Sequence, residues 1–257
     1  MSMKTVIRAL GWATYIFWII LLFFGATTAY SAFQLAHGFG FGEPRTSTSD
    51  GTVTMSLPLY INNVGFYDIV NMNLTTLIRD ISGAPISDSS TFVQLIPKGQ
   101  NSSMMHNITL NVNSMTSSQL SHLLFADSDL TVDASLKLDY ARVIPLGIST
   151  NFTMPWGAPL HNLTIGHISM SGTHATVPFN FENHSFFELN GTMRLEIVDN
   201  LGQIVGQGTA PIIAPPQSGY WSSVDVAVSG DPANIRTARL YFQTSVFSYG
   251  PVVIPVA

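Results

Sequence analysis

A long uncharged segment near the N-terminus limits this chain more than any other feature of its sequence. Residues 10–32 read LGWATYIFWIILLFFGATTAYSA and carry no charged side chain. At about 1.5 Å per residue, a helix of this length extends roughly 35 Å, which is enough to cross a hydrocarbon core about 30 Å thick. Trp12 and Tyr15 near one end and Tyr30 near the other suit the two lipid interfaces. The sequence therefore predicts a transmembrane helix over residues 10–32.

The charges that precede this segment predict its orientation. Lys4 and Arg8 have no acidic residue nearby, and the positive-inside rule places such a flank in the cytoplasm. We expect residues 1–9 to be a cytoplasmic stub, residues 10–32 to be a single-pass signal anchor in the cell membrane, and the bulk of the chain to be extracellular. Two alternatives stay open. One is a signal peptide cleaved near Ala29, and the other is a pilin-type leader cleaved just before the apolar run.

Composition excludes several classes of function. The chain has no cysteine, so it forms no disulfide, thiolate metal site or cysteine nucleophile, and its folded units depend on apolar cores. Hydrophobic residues make up 46% of the chain and charged residues 10%, which excludes a disordered polyelectrolyte. The net charge of −5 leaves no basic surface that would neutralise several phosphates, so nucleic acid is not an expected partner.

Asparagine sequons support an exterior location for the bulk of the chain. N-x-S/T triplets are acceptors for N-glycosylation, and the composition predicts roughly three of them by chance. The chain carries seven, so the predicted glycosylation sites are Asn73, Asn101, Asn107, Asn151, Asn162, Asn183 and Asn190. The alternative is that turns rich in Asn and Thr generate these triplets incidentally.

An internal duplication determines the expected fold. Residues 57–69 read LPLYINNVGFYDI and residues 177–189 read VPFNFENHSFFEL, which align without a gap. Asn63 matches Asn183, and an aromatic pair follows each asparagine after two intervening residues. Similarity of this kind indicates two copies of one structural unit.

The hydrophobic pattern within each unit predicts β-strands. Apolar Val53, Met55 and Leu57 alternate with polar neighbours, and a period of two is typical of half-buried antiparallel strands. Thr116-Ser117-Ser118-Gln119 fits a capping box that begins a short helix, ending near Ala126. We therefore expect an all-β fold of two tandem antiparallel Ig-like β-sandwich domains, preceded by one transmembrane helix, with one short helix inserted in the first domain.

The predicted domain boundaries follow from this duplication. Residues 33–45 form a Gly-rich stalk, and residues 46–157 form the first β-sandwich domain. Residues 158–164 form a short linker, whose proline restricts the relative orientation of the domains. Residues 165–257 form the second domain. Between residues 228 and 239 the second domain is expected to have only a turn where the first has its helix.

The order of elements in each unit resembles a known family. A strand that ends in Asn, then an alternating second strand, and later a strand, a short helix and a final strand pair are similar to the late embryogenesis abundant type-2, or water stress and hypersensitive response (WHy), domain. The resemblance covers most of residues 46–257. It implies a small Ig-like sandwich behind an N-terminal membrane helix, sometimes in tandem, with a structural, protective or binding role. It carries over no catalytic residue.

Three groups of residues offer metal-ligand chemistry. They are His161, His167 and His174; Met104, Met105 and His106; and Asp127, Asp129 and Asp133. The histidines would form one site only if a loop and two strands bring them together. The methionines suit copper but are more typical of core packing, and the aspartates lack the Gly and terminal Glu of a calcium loop. We assign no metal, cofactor or catalytic residue.

Aromatic residues offer the best argument for binding. The pairs Phe66-Tyr67 and Phe186-Phe187 lie at equivalent points of the repeat. Neighbours on a strand point to opposite faces, so one ring of each pair would form an exposed patch, unless a wide turn folds both inward, which we favour. Trp221 is a further candidate anchor, whereas Trp156 is expected to pack at the hinge between domains.

Together these features predict a membrane-anchored extracytoplasmic glycoprotein that is not an enzyme. Its expected role is structural or binding, at the cell envelope. Its expected partners are the lipid bilayer, through residues 10–32, and an envelope or membrane-complex protein. The alternatives are a tethered metal-dependent enzyme that uses histidines near the junction and a subunit of a cell-surface filament.

Overall fold

The chain folds into one long helix followed by antiparallel β-sheets. The computed structural model describes residues 3–229 and 234–255, so part of the predicted turn between residues 228 and 239 lies outside the described residues. The helices are α1 (Met3–Gly38) and α2 (Ser117–Phe125). The strands are β1 (Phe39–Phe41), β2 (Arg45–Ser49), β3 (Thr52–Asn62), β4 (Ile69–Arg79), β5 (Pro85–Ile96), β6 (Asn101–Asn111), β7 (Ser128–Tyr140), β8 (Ile144–Trp156), β9 (His161–Ile165), β10 (Ser169–Ser171), β11 (His174–Asn183), β12 (Leu189–Asp199), β13 (Ile204–Ala214), β14 (Ser218–Val228), β15 (Ile235–Thr244) and β16 (Ser248–Pro255).

The same strand arrangement occurs twice. In the first unit β3 pairs with β6, β1 and β2, and a second sheet has the order β5-β4-β7-β8. In the second unit β11 pairs with β14, β9 and β10, and the strands β13-β12-β15-β16 repeat the second sheet. Here β13 also pairs with β14, so all eight strands are joined. The predicted all-β, antiparallel sandwich-type fold with one N-terminal helix and one short inserted helix is confirmed.

The segment predicted to be a stalk (33–45) is instead folded: residues 33–38 are the end of α1, and residues 39–45 belong to the first unit. Its strand β1 pairs with β3, as β9 pairs with β11. The N–H of Gly42 donates to the carbonyl of Pro58, and the N–H of Gly166 donates to the carbonyl of Pro178, both at 2.8 Å. The duplication therefore extends upstream of residue 46.

The glycines of this segment serve packing rather than flexibility. A Cβ added at Gly42 would lie 3.0 Å from the Pro58 ring, and one added at Gly166 would lie 2.9 Å from the Pro178 ring. A side chain at either position would therefore press against a proline ring, a contact that glycine avoids. The second copy begins with β9 at His161, which lies inside the predicted linker (158–164).

Helix α1 has two parts with different surroundings. From Trp12 to Phe23 its large apolar side chains are exposed. Nearer its end, Thr28, Ser31 and Leu35 are buried against the first unit, and their spacing places them on one helix face. Within the described part of the chain, the span Trp12–Leu35 is long and apolar enough to cross a membrane.

Helix α2 begins at the predicted capping box. The N–H of Gln119 donates to Thr116 Oγ1 (3.3 Å), and the N–H of Thr116 donates to Gln119 Oε1 (3.1 Å). Its Leu123 and Leu124 are buried in an apolar cluster that continues through Trp156 into the second unit. The two units thus share one core at their junction, where this helix packs.

Candidate functional site

Four ionisable side chains meet at the junction of the two units. Asp127 follows the end of α2, and His161 is the first residue of β9. Glu182 lies near the end of β11, and His184 is the first residue after that strand. We call these four residues the junction cluster.

The junction cluster is held together by short polar contacts. His184 Nδ1 lies 2.7 Å from Asp127 Oδ2, and His184 Nε2 lies 3.0 Å from Glu182 Oε2. His161 Nδ1 lies 3.4 Å from the same Glu182 oxygen. The two imidazole rings stack with their centroids 4.3 Å apart. The arrangement therefore alternates imidazoles and carboxylates.

The backbone around Ala158 positions the cluster. Its N–H donates to Asp127 Oδ1 (2.8 Å), and its carbonyl accepts from the N–H of His184 (3.0 Å). Gly157 lies directly against the carbonyl of His184, where an added Cβ would collide with it. Gln217 Nε2 donates to the carbonyls of His184 and Ser185. These contacts tie the end of α2 to the turn after β11.

Electrostatics favour a charged His184. Its hydrogen bond to Asp127 raises the pKa of the imidazole, and Glu182 raises it further. Hydrogen bonds from His161 and His184 lower the pKa of Glu182. Burial raises the pKa of Asp127, but hydrogen bonds from Ala158 and His184 outweigh it and lower that pKa. These contacts thus shift both carboxyl groups towards the charged form and His184 towards the protonated form.

A cleft of ≈ 650 Å³ adjoins the cluster. Asp127 and His184 line it together with the rings of Trp156 and Phe186. Trp156 is buried, and its Nε1 donates to the carbonyl of Leu123 (2.8 Å), which confirms its predicted packing at the hinge. The cleft gives solvent and small ligands access to the polar groups of the junction.

Only some of the residues with predicted ligand chemistry come together here. His161 and Asp127 belong to the junction cluster, and the exposed Asp129 lines the adjoining cleft, whereas His167 and His174 are exposed outside the cluster. Asp133 instead pairs with Arg79, with Nε and Oδ2 3.2 Å apart. The three histidines therefore form no common site, nor do the three aspartates.

The Met-Met-His triplet has a structural role in this fold. Met104 packs in the core of the first unit, and Met105 is exposed. His106 is buried, with Nε2 2.9 Å from Thr76 Oγ1 and Nδ1 2.9 Å from Thr91 Oγ1. Both ring nitrogens are thus used in hydrogen bonds within the protein.

One predicted glycosylation site is incompatible with the fold. Asn183 is fully buried, and its Nδ2, the atom that would carry a glycan, donates to the carbonyls of Phe187, Ala214 and Pro215, each at 3.0 Å. A glycan there would break all three hydrogen bonds. Asn73 is half-buried, and the exposed sequon asparagines are Asn101, Asn107, Asn151, Asn162 and Asn190. Glycosylation at these six positions stays a prediction.

One residue of each aromatic pair packs against the segment that precedes its unit: α1 for the first unit and the end of β8 for the second. Tyr67 packs against Phe24 of α1 with ring centroids 5.5 Å apart, and Phe186 packs edge-on against Trp156 at 5.7 Å. Phe66 stays 55% exposed, and Trp221 is 74% exposed. The prediction that both rings of each pair turn inward is therefore confirmed for the second pair and for Tyr67, but it is wrong for Phe66.

Sequence reasoning missed Glu182 and His184. A signal for both was present in the repeat itself, because the aligned residues of the first copy are the uncharged Asn62 and Val64. A position that is ionisable in one copy and uncharged in the other is a candidate for a function that only one copy has. That difference, rather than the spacing between histidines, indicated the cluster.

No family sequence model matches the chain, and no curated protein matches it. Among solved structures, the periplasmic chaperone SfaE is 10% identical with a TM-score of 0.30, covering 86% of this chain and 99% of the chaperone. Red sea bream transglutaminase is 13% identical with a TM-score of 0.28, covering 84% of this chain and 31% of the transglutaminase. A family 2 glycosyl hydrolase from Bacteroides cellulosilyticus is 10% identical with a TM-score of 0.28, covering 80% of this chain and 27% of the hydrolase. Scores this low carry no argument about fold or function.

Proposed function

We propose that this chain is a single-pass, membrane-anchored extracytoplasmic glycoprotein with a non-enzymatic structural or binding role at the cell envelope. The observation that carries the proposal is the division of α1. Its first part exposes a continuous run of large apolar side chains from Trp12 to Phe23, which a bilayer would remove from water. Its last turns pack against the first unit and join the bilayer segment to the folded bulk.

The docking of α1 supports a structural role for the anchor. Tyr67 OH and Thr27 Oγ1 lie 2.9 Å apart, and the N–H of Phe66 donates to Ser31 Oγ (3.1 Å). A helix fixed in this way holds the first unit close to the membrane surface. The resemblance to tandem WHy domains behind a membrane helix agrees with this arrangement. The exposed sequons and the basic N-terminal flank support an extracytoplasmic location for the bulk.

Cysteine labelling tests the topology, because the natural chain has no cysteine. Leu201 lies in the β12–β13 turn and is 78% exposed. In intact cells, a membrane-impermeant maleimide should label the Leu201→Cys variant. The Thr5→Cys variant, altered in the cytoplasmic flank, should react only after permeabilisation. Labelling of Thr5→Cys in intact cells, or protection of Leu201→Cys until lysis, would overturn the proposal.

A tethered metal-dependent enzyme is the second candidate. The junction cluster beside its cleft favours this reading, since imidazoles and carboxylates are the ligands of catalytic zinc sites. It ranks second because no observation identifies a substrate for the cleft, whereas the exposed apolar run of α1 directly supports a membrane anchor.

A further inference from the structure

One carboxylate oxygen of the junction cluster lies at about the ligand–ligand distance of a tetrahedral metal site from a ring nitrogen of each histidine. Glu182 Oε2 lies 3.4 Å from His161 Nδ1 and 3.0 Å from His184 Nε2. Ligands about 2.0–2.1 Å from a tetrahedral zinc ion lie about 3.3–3.4 Å from one another. Both measured separations are within a few tenths of an ångström of this value. A zinc-sized ion between these atoms would replace the hydrogen bonds that now join them, and the imidazole rings would turn so that a lone pair of each faces the ion.

Asp127 orients His184 for metal binding. Its Oδ2 lies 2.7 Å from Nδ1 of the ring, and its Oδ1 is held by the N–H of Ala158. A carboxylate that accepts from one ring nitrogen directs the other nitrogen towards a metal, and this pairing is common around zinc-bound histidines. The ring nitrogen that faces Glu182 is therefore the one that a metal would use.

The cluster also has room to rearrange around an ion. The side chains of His161 and His184 are 26% and 33% exposed, so each ring is free to turn out of the stack and point its lone pair at the ion. Asp127 offers a second carboxylate, because one ligand atom each from Asp127, His161 and His184 lie within 4.8 Å of one another. In the proposed site Asp127 stays on Nδ1 of His184, and Glu182 supplies the oxygen ligand.

We propose that the junction cluster binds a divalent transition-metal ion of the zinc type through His161 Nδ1, His184 Nε2 and Glu182 Oε2, with Asp127 as the orienting group. Two histidines and one carboxylate leave a fourth position for water, as in catalytic zinc sites. The ligands join the start of β9 to the end of β11, and Asp127 links them to α2. All three ligands thus belong to the second unit, and Asp127 is the residue of the first unit that contacts them. This inference does not depend on the membrane topology or on the role proposed above.

The test is a titration of the full chain in detergent after removal of metals with a chelator. Isothermal titration calorimetry with zinc chloride should show one ion per chain. Asp127→Asn should weaken zinc binding about 10- to 100-fold, as loss of an orienting group does. His161→Gln and His184→Gln remove ligands and should weaken it more than Asp127→Asn does.

Two exposed histidines close to the cluster in sequence give the matched controls. His167→Gln and His174→Gln should leave both the stoichiometry and the affinity unchanged. The proposal is overturned if the wild-type chain binds no zinc, if His161→Gln binds as the wild type does, or if the control variants lose binding to the same extent. The last result would mean adventitious binding by surface histidines.

A spectrum of the wild-type chain keeps the test independent of variant folding. Cobalt(II) in a tetrahedral site of nitrogen and oxygen ligands gives intense visible bands. The wild-type chain should develop these bands at one equivalent of cobalt and lose them on addition of zinc. A weak octahedral spectrum would contradict the proposed geometry.

Discussion

The turn after β3 and the turn after β11 share the hydrogen bonds of a buried asparagine, but different groups complete the two turns. In each, a buried asparagine donates from Nδ2 to the carbonyl four residues ahead and to a carbonyl at the end of a neighbouring strand. In the second turn, the N–H and Oγ of Ser185 both donate to Asn183 Oδ1, at 3.1 and 2.7 Å. The first turn has Gly65 at this position, and Asn63 Oδ1 has no hydrogen-bond partner among the described residues.

Distant parts of the chain complete the first turn. A Cβ at Gly65 would collide with the hydroxyl of Tyr140 and lie 3.1 Å from Cβ of Ser31 in α1. That hydroxyl accepts from the N–H of Tyr67 (3.2 Å), while Ser31 accepts from the N–H of Phe66 (3.1 Å). The second turn is thus closed by its own serine, whereas the first needs the helix. The glycine at position 65 leaves room for Tyr140 and α1, where the equivalent turn of the second unit has a serine side chain.

The largest expected effect is the difference in stability between variants of Asn183 and Asn63. Asn183→Ala should lower the free energy of unfolding by about 4 kcal/mol, because it leaves three carbonyls and Ser185 without their partner in a buried site. Asn63→Ala should cost about 2 kcal/mol, because only two carbonyls lose a donor. Urea denaturation followed by circular dichroism measures both values. Asn200→Ala, at an exposed position, is the control, and equal losses at Asn63 and Asn183 would contradict the comparison.

Exchanging the serine and the glycine gives the next effect. Ser185→Gly should lower the free energy of unfolding by about 2 kcal/mol, since Asn183 Oδ1 loses both donors. Gly65→Ser should destabilise by about 1–3 kcal/mol through overpacking, and it should also release α1. Hydrogen exchange of the backbone from residue 24 to residue 35 should therefore quicken in Gly65→Ser and stay unchanged in Ser185→Gly. Unchanged exchange in both variants would show that α1 does not depend on this turn.

The smallest effect is a pH dependence confined to the first unit. Burial lowers the pKa of His106 below its ordinary value of 6.5, so the unfolded chain takes up a proton at a higher pH than the folded chain. Stability is therefore full above about pH 6.5 and falls as the pH drops below it, by at most about 1.4 kcal/mol per pH unit. The equivalent position in the second unit, judged by strand pairing, is Val224.

The variant His106→Gln isolates this contribution, because glutamine keeps hydrogen-bonding capacity for Thr76 and Thr91 but does not titrate. Thermal unfolding between pH 7 and pH 5 should show a steeper loss of Tm for the wild type than for His106→Gln. Equal slopes would mean that other groups cause the acid sensitivity.

Local and periodic features of the fold were predictable from the sequence. The uncharged run gave α1, the capping box gave the start of α2, and the aligned Asn63 and Asn183 gave two copies of one unit. Each signal lies within a short window of the chain. The physics that produces it, such as side-chain periodicity or a cap, is local as well.

The remaining features depend on contacts between distant segments. The glycines at 38–42 are typical of a flexible stalk, and only the packing of Gly42 against Pro58 shows their purpose. The junction cluster joins Asp127 to His184 across more than fifty residues, which no spacing rule connects. A sequon likewise does not reveal that its asparagine is buried, although the match of Asn183 with Asn63 was a clue to a shared structural role.

The direct passage of α1 into β1, with no unpaired residue between Gly38 and Phe39, has a mechanical consequence. Because no linker separates α1 from β1, a tilt or rotation of α1 would also tilt or rotate the first unit. If α1 spans a bilayer as proposed, the tilt of the helix would therefore also set the orientation of the first unit relative to the membrane.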